Sequence, residues 1–194
     1  MVRRKSSLIG ISIIIFFILM ALVTIPNIPN SYSYSKCIVI KLEGTIDSGY
    51  ADLIQRVTSS PPTWAERIII VLNTDGGYLA ATEKIVDSFI SSTVPITVYI
   101  PKGGRAFSAG AYIAIASHEL VMAPSAVIGS AEPRTIMGAK DPKIINAMEK
   151  WIEVLALERD RNTTVAKLMV TENLNLNGEE ALSLIHISEP TRPY

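Results

Sequence analysis

The stretch RIIIVLNTDGGYLAATEKIVDSFISS, residues 67–92, decides the architecture of this chain. Its first six residues, Arg67 to Leu72, form a continuous apolar run with three adjacent isoleucines, the pattern of a strand covered on both faces. From Tyr78 the period changes. Apolar side chains at 79, 82, 85, 86, 89 and 90 recur with helical spacing and predict a helix over 78–92. Between strand and helix lies Asp75-Gly76-Gly77, where glycine tolerates positive φ and leaves backbone N–H groups open at the positive end of a helix. Such a turn serves either chain geometry alone or the binding of an anion or oxyanion. The motif by itself does not choose between them.

The same alternation extends outward in both directions. Residues 37–42 (CIVIKL) read as a strand, and 46–59 carry Tyr50, Leu53, Ile54 and Val57 at helical spacing. PPTWAE is a loop, PITVYI (95–100) a strand and 108–117 a helix, and ELVMA and AVIGS are short strands around Pro124. Residues 141–160 predict a long amphipathic helix with Ile144, Ile145, Met148, Trp151, Ile152 and Leu155 on one face. Asp141 is placed to cap it, and Pro142 takes the first position, where a missing N–H costs nothing. Asn162-Thr163-Thr164 has the form of a glycosylation sequon, but a helix start capped by Asn162 is the favoured reading. Repeated strand–helix units imply an α/β domain with a mostly parallel sheet. NGEEAL (177–182) reads as a helix start, whereas SLIHISEPTRPY lacks a pattern, and the closing strand expected of a parallel core is not visible. Residues 183–194 are therefore set apart as an atypical tail, non-native or truncated.

Bulk composition narrows the function. Eighteen basic and eighteen acidic side chains cancel, with no basic face to suggest nucleic acid. The single cysteine, Cys37, excludes an internal disulfide and a cysteine-rich zinc site, and reads as a buried thiol. Two histidines, His118 and His186, offer little to a metal, and nothing points to a cofactor. At the N-terminus, Arg3, Arg4 and Lys5 precede an uncharged apolar run over residues 8–25. Eighteen residues at about 1.5 Å each span about 27 Å, close to the hydrocarbon thickness of a bilayer. Residues 1–35 thus read as a membrane anchor or a signal peptide, with the following domain, 36–182, on the extracytoplasmic side.

The stretch PKGGRAFSAGAYIAIASH (101–118) adds a serine, Ser108, where a glycine-rich loop meets an alanine-rich helix. A serine there is either a helix cap or a nucleophile whose oxyanion receives the N–H of Ala109. A nucleophile needs a base. His118 lies ten residues on, roughly 15 Å along a helix, beyond the hydrogen-bond reach a base requires. A lysine can serve instead. It must be neutral, so its surroundings have to lower the ordinary value near 10.4 to about 8, a difference of roughly 3 kcal/mol. Lys84, Lys102, Lys140, Lys143, Lys150 and Lys167 remain open; Lys143, next to the core-facing Ile144, has room for half-burial, although a surface position is a lysine's usual fate.

Taken together, IIIVLNTDGGYLAATEKIVDSF, PKGGRAFSAGAYIAIASHELVMAPSAVIGSAEP and KIINAMEKWIEVLALERDRN resemble the catalytic domain of NfeD-type membrane serine proteases. These belong to the Clp protease/crotonase superfamily, alongside signal peptide peptidase A. The resemblance covers about residues 37–182. It implies repeated β-β-α units, a Ser108 nucleophile, a Lys143 base and an oxyanion hole from Gly76, Gly77 and Ala109. It implies no cofactor, hydrophobic segments of stomatin-like membrane proteins as substrates, and a homodimer or larger assembly. A crotonase-type acyl-CoA enzyme is disfavoured by the N-terminal segment. An inactive scaffold of the same fold, partnering stomatin-like proteins, is the alternative.

Overall fold

The computed structural model describes residues 36–134 and 141–185. The apolar run at 8–25, His186 and all but three residues of the tail lie outside them, as does Lys140. Seven strands and six helices follow one another in these residues. They are β1 (Cys37–Ile46), α1 (Ser48–Ser59), β2 (Arg67–Gly77), α2 (Leu79–Ile90), β3 (Ile96–Ile100), β4 (Arg105–Phe107) and α3 (Ala109–Ala116). There follow β5 (Glu119–Met122), β6 (Val127–Gly129), α4 (Pro142–Glu158), α5 (Thr163–Thr171), β7 (Asn175–Asn177) and α6 (Gly178–Leu184). A β-β-α succession occurs twice, at β3-β4-α3 and β5-β6-α4. The domain is α/β with a mixed, mostly parallel sheet: β6–β7 is the antiparallel pair among ladders that otherwise run parallel.

The pivot of the sheet is β2. Along one side it pairs with β1, from Cys37↔Arg67 to Ile46↔Gly77. Its other side is shared. Ile68 to Val71 pair with β3, while Thr74 pairs with Ala106 of β4. The sheet therefore forks at the level of Asn73, whose Oδ1 accepts the Arg105 N–H at 3.0 Å. One branch continues through β3 to β5, the other through β4 and β6 to β7.

Burial follows from this placement. Ile68, Ile70 and Leu72 are fully or almost fully buried, but Ile69 and Val71 are only half-covered. The apolar run thus has one sealed face and one partly open face, where a strand sealed on both was expected. The helix over α3 is different: all eight of its residues are buried. It packs on β2 and β4 between α2 and α4. Its small residues allow that. A Cβ on Gly110 would lie 2.6 Å from Thr74 Cγ2, so only glycine lets the helix sit this close to β2.

The helix starts match their caps. Asp47, Asp141 and Asn162 each accept a backbone N–H from the first turn, and Asn177 and Glu180 form a reciprocal capping box. Three expectations need correction. Gly76 and Gly77 continue β2 instead of forming a turn into the helix, which begins at Leu79. RAF (105–107) is a strand, because β2 has a free ladder position beyond the end of β3. A strand that was not anticipated, β7, precedes the last described helix; it is three residues long and antiparallel to β6, so no long apolar run announced it. The helix that follows runs to Leu184, two residues past the boundary drawn at 182.

Candidate active site

The ends of β2 and β4 meet at one point. Gly77 closes β2, and Phe107 of β4 leads directly into Ser108. Ser108 adopts φ 51° and ψ −117°, a backbone conformation L-residues rarely take. Positions of this kind cost about 1–3 kcal/mol and persist only where the surroundings over-determine them. Here the Ser108 N–H is shared between the carbonyls of Gly129 and Ser130, each at 3.2 Å. The hydroxyl makes no capping bond to α3. Ser108 is therefore not a conventional cap.

Gly76 lies against it. At φ 129°, a Cβ on Gly76 would stand 2.8 Å from Ser108 Cβ and 3.2 Å from its Oγ. The missing side chain is what makes room for the serine. The Gly76 N–H donates to Thr74 Oγ1 at 2.9 Å, and the same hydroxyl donates to the Gly44 carbonyl. Gly77 is tied into the β1 ladder so tightly that any side chain would strike the Ile46 backbone. Asp75 is held aside by a bidentate pair with Arg105, at 2.9 and 3.1 Å.

Ser108, Ala109 and Gly77 line a cavity of about 210 Å³. Leu79 and Thr82 of α2, Tyr112 of α3, and Ile144 and Met148 of α4 complete its walls with Ala131, Pro133 and Arg134. Tyr112 is anchored twice. Its ring stacks on Trp151 at 4.9 Å between centroids, and its hydroxyl donates to the Ala131 carbonyl at 3.2 Å. Burial raises its pKa well above the ordinary tyrosine value. A wider polar groove of about 410 Å³ between α1 and α2 contains Ser59, Ser88, Ser91 and Lys84. Its chemistry is spent: each serine hydroxyl bonds to a carbonyl of its own helix, and Lys84 donates to Asp52 at 2.7 Å.

The candidate bases sort by their partners. The Nδ1 of His118 accepts the Ile96 N–H at 3.2 Å on the far side of α3. Burial, with Arg159, Arg161 and Arg67 nearby, lowers its pKa. Lys84, Lys150 and Lys167 all face carboxylates. Lys102 is exposed in the turn before β4. Lys143 occupies the first turn of α4, where its N–H donates to Asp141 Oδ1 at 2.9 Å. Its side chain is exposed, the usual fate of a lysine, while Ile144, the next residue, is the one turned to the cavity.

Sequence reasoning missed the groups that fix the far end of α3 and the wall opposite it. Arg161, 6% exposed, donates from Nη1 to the carbonyls of Ile115 and Ser117 at 2.7 and 2.8 Å. Arg159 donates to the Ala116 carbonyl at 2.8 Å. Burial, and secondarily Arg159, brings the Arg161 pKa down to about 10. The negative end of the α3 dipole is thus met by two cations. Glu132, also buried, accepts from Asn173 Nδ2 at 2.8 Å and pairs with Arg134 at 2.9 Å, holding the cavity wall at 131–134. The legible signal was ALERDRN: two arginines flanking an aspartate directly after an amphipathic helix.

Residues 36–186 match the family of NfeD1b N-terminal domains. Over 154 residues the chain is 39% identical to the membrane-bound protease PH1510 of Pyrococcus horikoshii, covering 74% of this chain and 34% of that protein. Over 139 residues it is 30% identical to the membrane protein NfeD1b of Bacillus subtilis, covering 71% and 31% respectively. The chain thus spans about a third of these relatives' lengths. Among solved structures, it resembles the 1510-N membrane-bound stomatin-specific protease. A lysine-to-alanine mutant in complex with a substrate peptide superposes with TM-score 0.75 at 36% identity, covering 83% of this chain and 77% of that one. A serine-to-alanine mutant gives 0.76 at 36% identity, covering 83% and 82%.

Proposed function

The chain belongs to the NfeD1b N-terminal domain family, and on that premise we propose that it is a membrane-associated serine endopeptidase of Clp protease/crotonase fold. Ser108 is the nucleophile. Lys143, on the turn of α4 that gives Ile144 to the cavity, takes its proton. The Ser108 oxygen attacks a peptide carbonyl, and the N–H groups of Gly77 and Ala109 receive the oxyanion. Gly76 contributes by its missing side chain, since its N–H is given to Thr74. The protonated lysine then delivers its proton to the leaving amine, and water releases the acyl group.

The observation that carries this reading is the uncapped Ser108, strained at the mouth of a cavity walled by Leu79, Tyr112, Ile144 and Met148. Its support is that relatives of the same fold were solved with one serine and with one lysine replaced. An apolar wall suits an apolar segment, which would exclude water from the reacting groups. We assign as substrate a hydrophobic stretch of a stomatin-like membrane protein, because the solved relatives are stomatin-specific. We also assign the domain to the extracytoplasmic side, a reading supported by the basic residues ahead of the apolar run at 8–25.

The test is cleavage of a hydrophobic stomatin-derived peptide by the full chain in detergent micelles, beside Ser108→Ala and Lys143→Ala. Loss in both variants, with circular dichroism unchanged, is the expected result. Activity surviving in Lys143→Ala would move the base elsewhere. No cleavage by the parent would favour a non-catalytic scaffold.

A further inference from the structure

We propose that Asn175, in the short strand β7, is a positioning residue for Ser108, acting through Ser130. The proposal rests on Ser108 being the nucleophile, but its geometry does not depend on which bond is cleaved.

The backbone of Ser108 is held by the carbonyls of Gly129 and Ser130, both 3.2 Å from its N–H. Those two residues are themselves in left-handed backbone, Gly129 at φ 141° and Ser130 at φ 45°. A serine at positive φ is uncommon and needs a reason to stay there. Ser130 has two. Its N–H donates to the Leu174 carbonyl at 3.2 Å, and its hydroxyl donates to Asn175 Oδ1 at 2.9 Å. Asn175 is in turn fixed by its own amide, which donates to the Asn173 carbonyl at 3.1 Å. Gly129 presses on the same segment so closely that a Cβ would strike the Leu174 carbonyl and come within 2.8 Å of Asn175 Cα.

The connections form one series: Asn175 fixes the Ser130 hydroxyl, Ser130 fixes its carbonyl and that of Gly129, and these carbonyls fix the Ser108 N–H. Without the Asn175 acceptor, Ser130 keeps its backbone bonds but loses the side-chain bond that helps hold a strained φ. The pair 129–130 then relaxes, and the Ser108 hydroxyl leaves the position set against Gly76. Displacements of about 1 Å at a reacting atom lower rates by about 10²-fold. Asn175 is not part of the cavity lining, so its effect should fall on turnover and not on binding.

The test uses the full chain, isotope-labelled in detergent micelles, with amide hydrogen exchange of Ser108 read against Ile70 and Val98 in the central ladder. Asn175→Ala should speed Ser108 exchange by about tenfold or more, with Ile70 and Val98 unchanged. Asn175→Asp keeps the acceptor but loses the amide that donates to the Asn173 carbonyl, so its Ser108 exchange should fall between the parent and Asn175→Ala. Ser130→Gly removes the hydroxyl but accepts positive φ without strain, so it covers the case in which Asn175→Ala unfolds. It should reproduce the Ser108-specific rise. In peptide cleavage, kcat should fall by about tenfold or more while KM stays within about twofold. Ser108 exchange unchanged in both variants, or rising only together with Ile70 and Val98, would overturn the proposal. If the parent cleaves nothing, the protease reading falls, and the exchange data still decide the positioning role.

Discussion

Replacing Arg161 by methionine tests how a buried guanidinium is held by backbone carbonyls. Methionine keeps most of the volume, so the change removes donors without opening a large cavity. Two carbonyls, those of Ile115 and Ser117, lose bonds of 2.7 and 2.8 Å and stay buried. Each orphaned acceptor costs about 1–3 kcal/mol. Against this, a charge need no longer be desolvated, and removing it returns part of that sum. The expected net loss is about 2–4 kcal/mol. For a domain of this size, where each kcal/mol moves Tm by about 2–4 °C, that is a fall of about 5–15 °C. The assay is thermal unfolding followed by circular dichroism at neutral pH, with urea unfolding to confirm an unchanged m-value. Arg161→Lys should lie between parent and Arg161→Met, since an ammonium lacks the planar fork. A Tm within about 2 °C of the parent, or above it, would refute the reasoning. It would show that the guanidinium costs as much in desolvation as its bonds and the α3 dipole return.

Other perturbations have equally definite outcomes. Gly76→Ala places a Cβ 2.8 Å from Ser108 Cβ at φ 129°. It should lower peptide cleavage by about 10²-fold and stability by about 1–3 kcal/mol; near-parental activity in steady-state assays would contradict the packing role given to Gly76. Asn162→Ala removes the cap on α5 and should cost about 1 kcal/mol, measured by urea unfolding. For His118, whose folded pKa lies below the ordinary 6.5, the unfolded chain binds the proton more readily. Its contribution to stability is therefore full above 6.5 and declines as pH falls from there through the lower folded value. His118→Gln should flatten that part of the stability–pH curve, and an unchanged slope below 6.5 would place the titration elsewhere.

The parts of this fold that were legible in sequence are those where one local rule sufficed. Helical spacing located α1, α2 and α4, and Asp141 and Asn162 marked starts that the structure keeps. Ser108 stood out because a serine between glycine-rich and alanine-rich segments is chemically conspicuous. What sequence did not show depends on distant pairing. The three-residue strands β4 and β7 have no periodicity of their own and exist because β2 and β6 offer them a ladder. Gly76 was noticed for its N–H, but its closeness to Ser108 arises from the fork, which unites residues 32 positions apart. Arg161 carries no local sign of burial, because the α3 carbonyls it serves lie 46 and 44 positions away.

The junction between Gly129–Ser130 and β7 also sets an order of events. A chain made from its N-terminus lays down β1 through β6 before Asn175 exists. At roughly 5–20 residues per second, Asn175 follows Ser108 by several seconds. During that interval the left-handed pair at 129–130 has no strand to lean on, and the serine has no fixed backbone. The backbone around Ser108 thus acquires its final geometry as one of the last acts of folding. Ripening of the site is tied to near-completion of the domain itself.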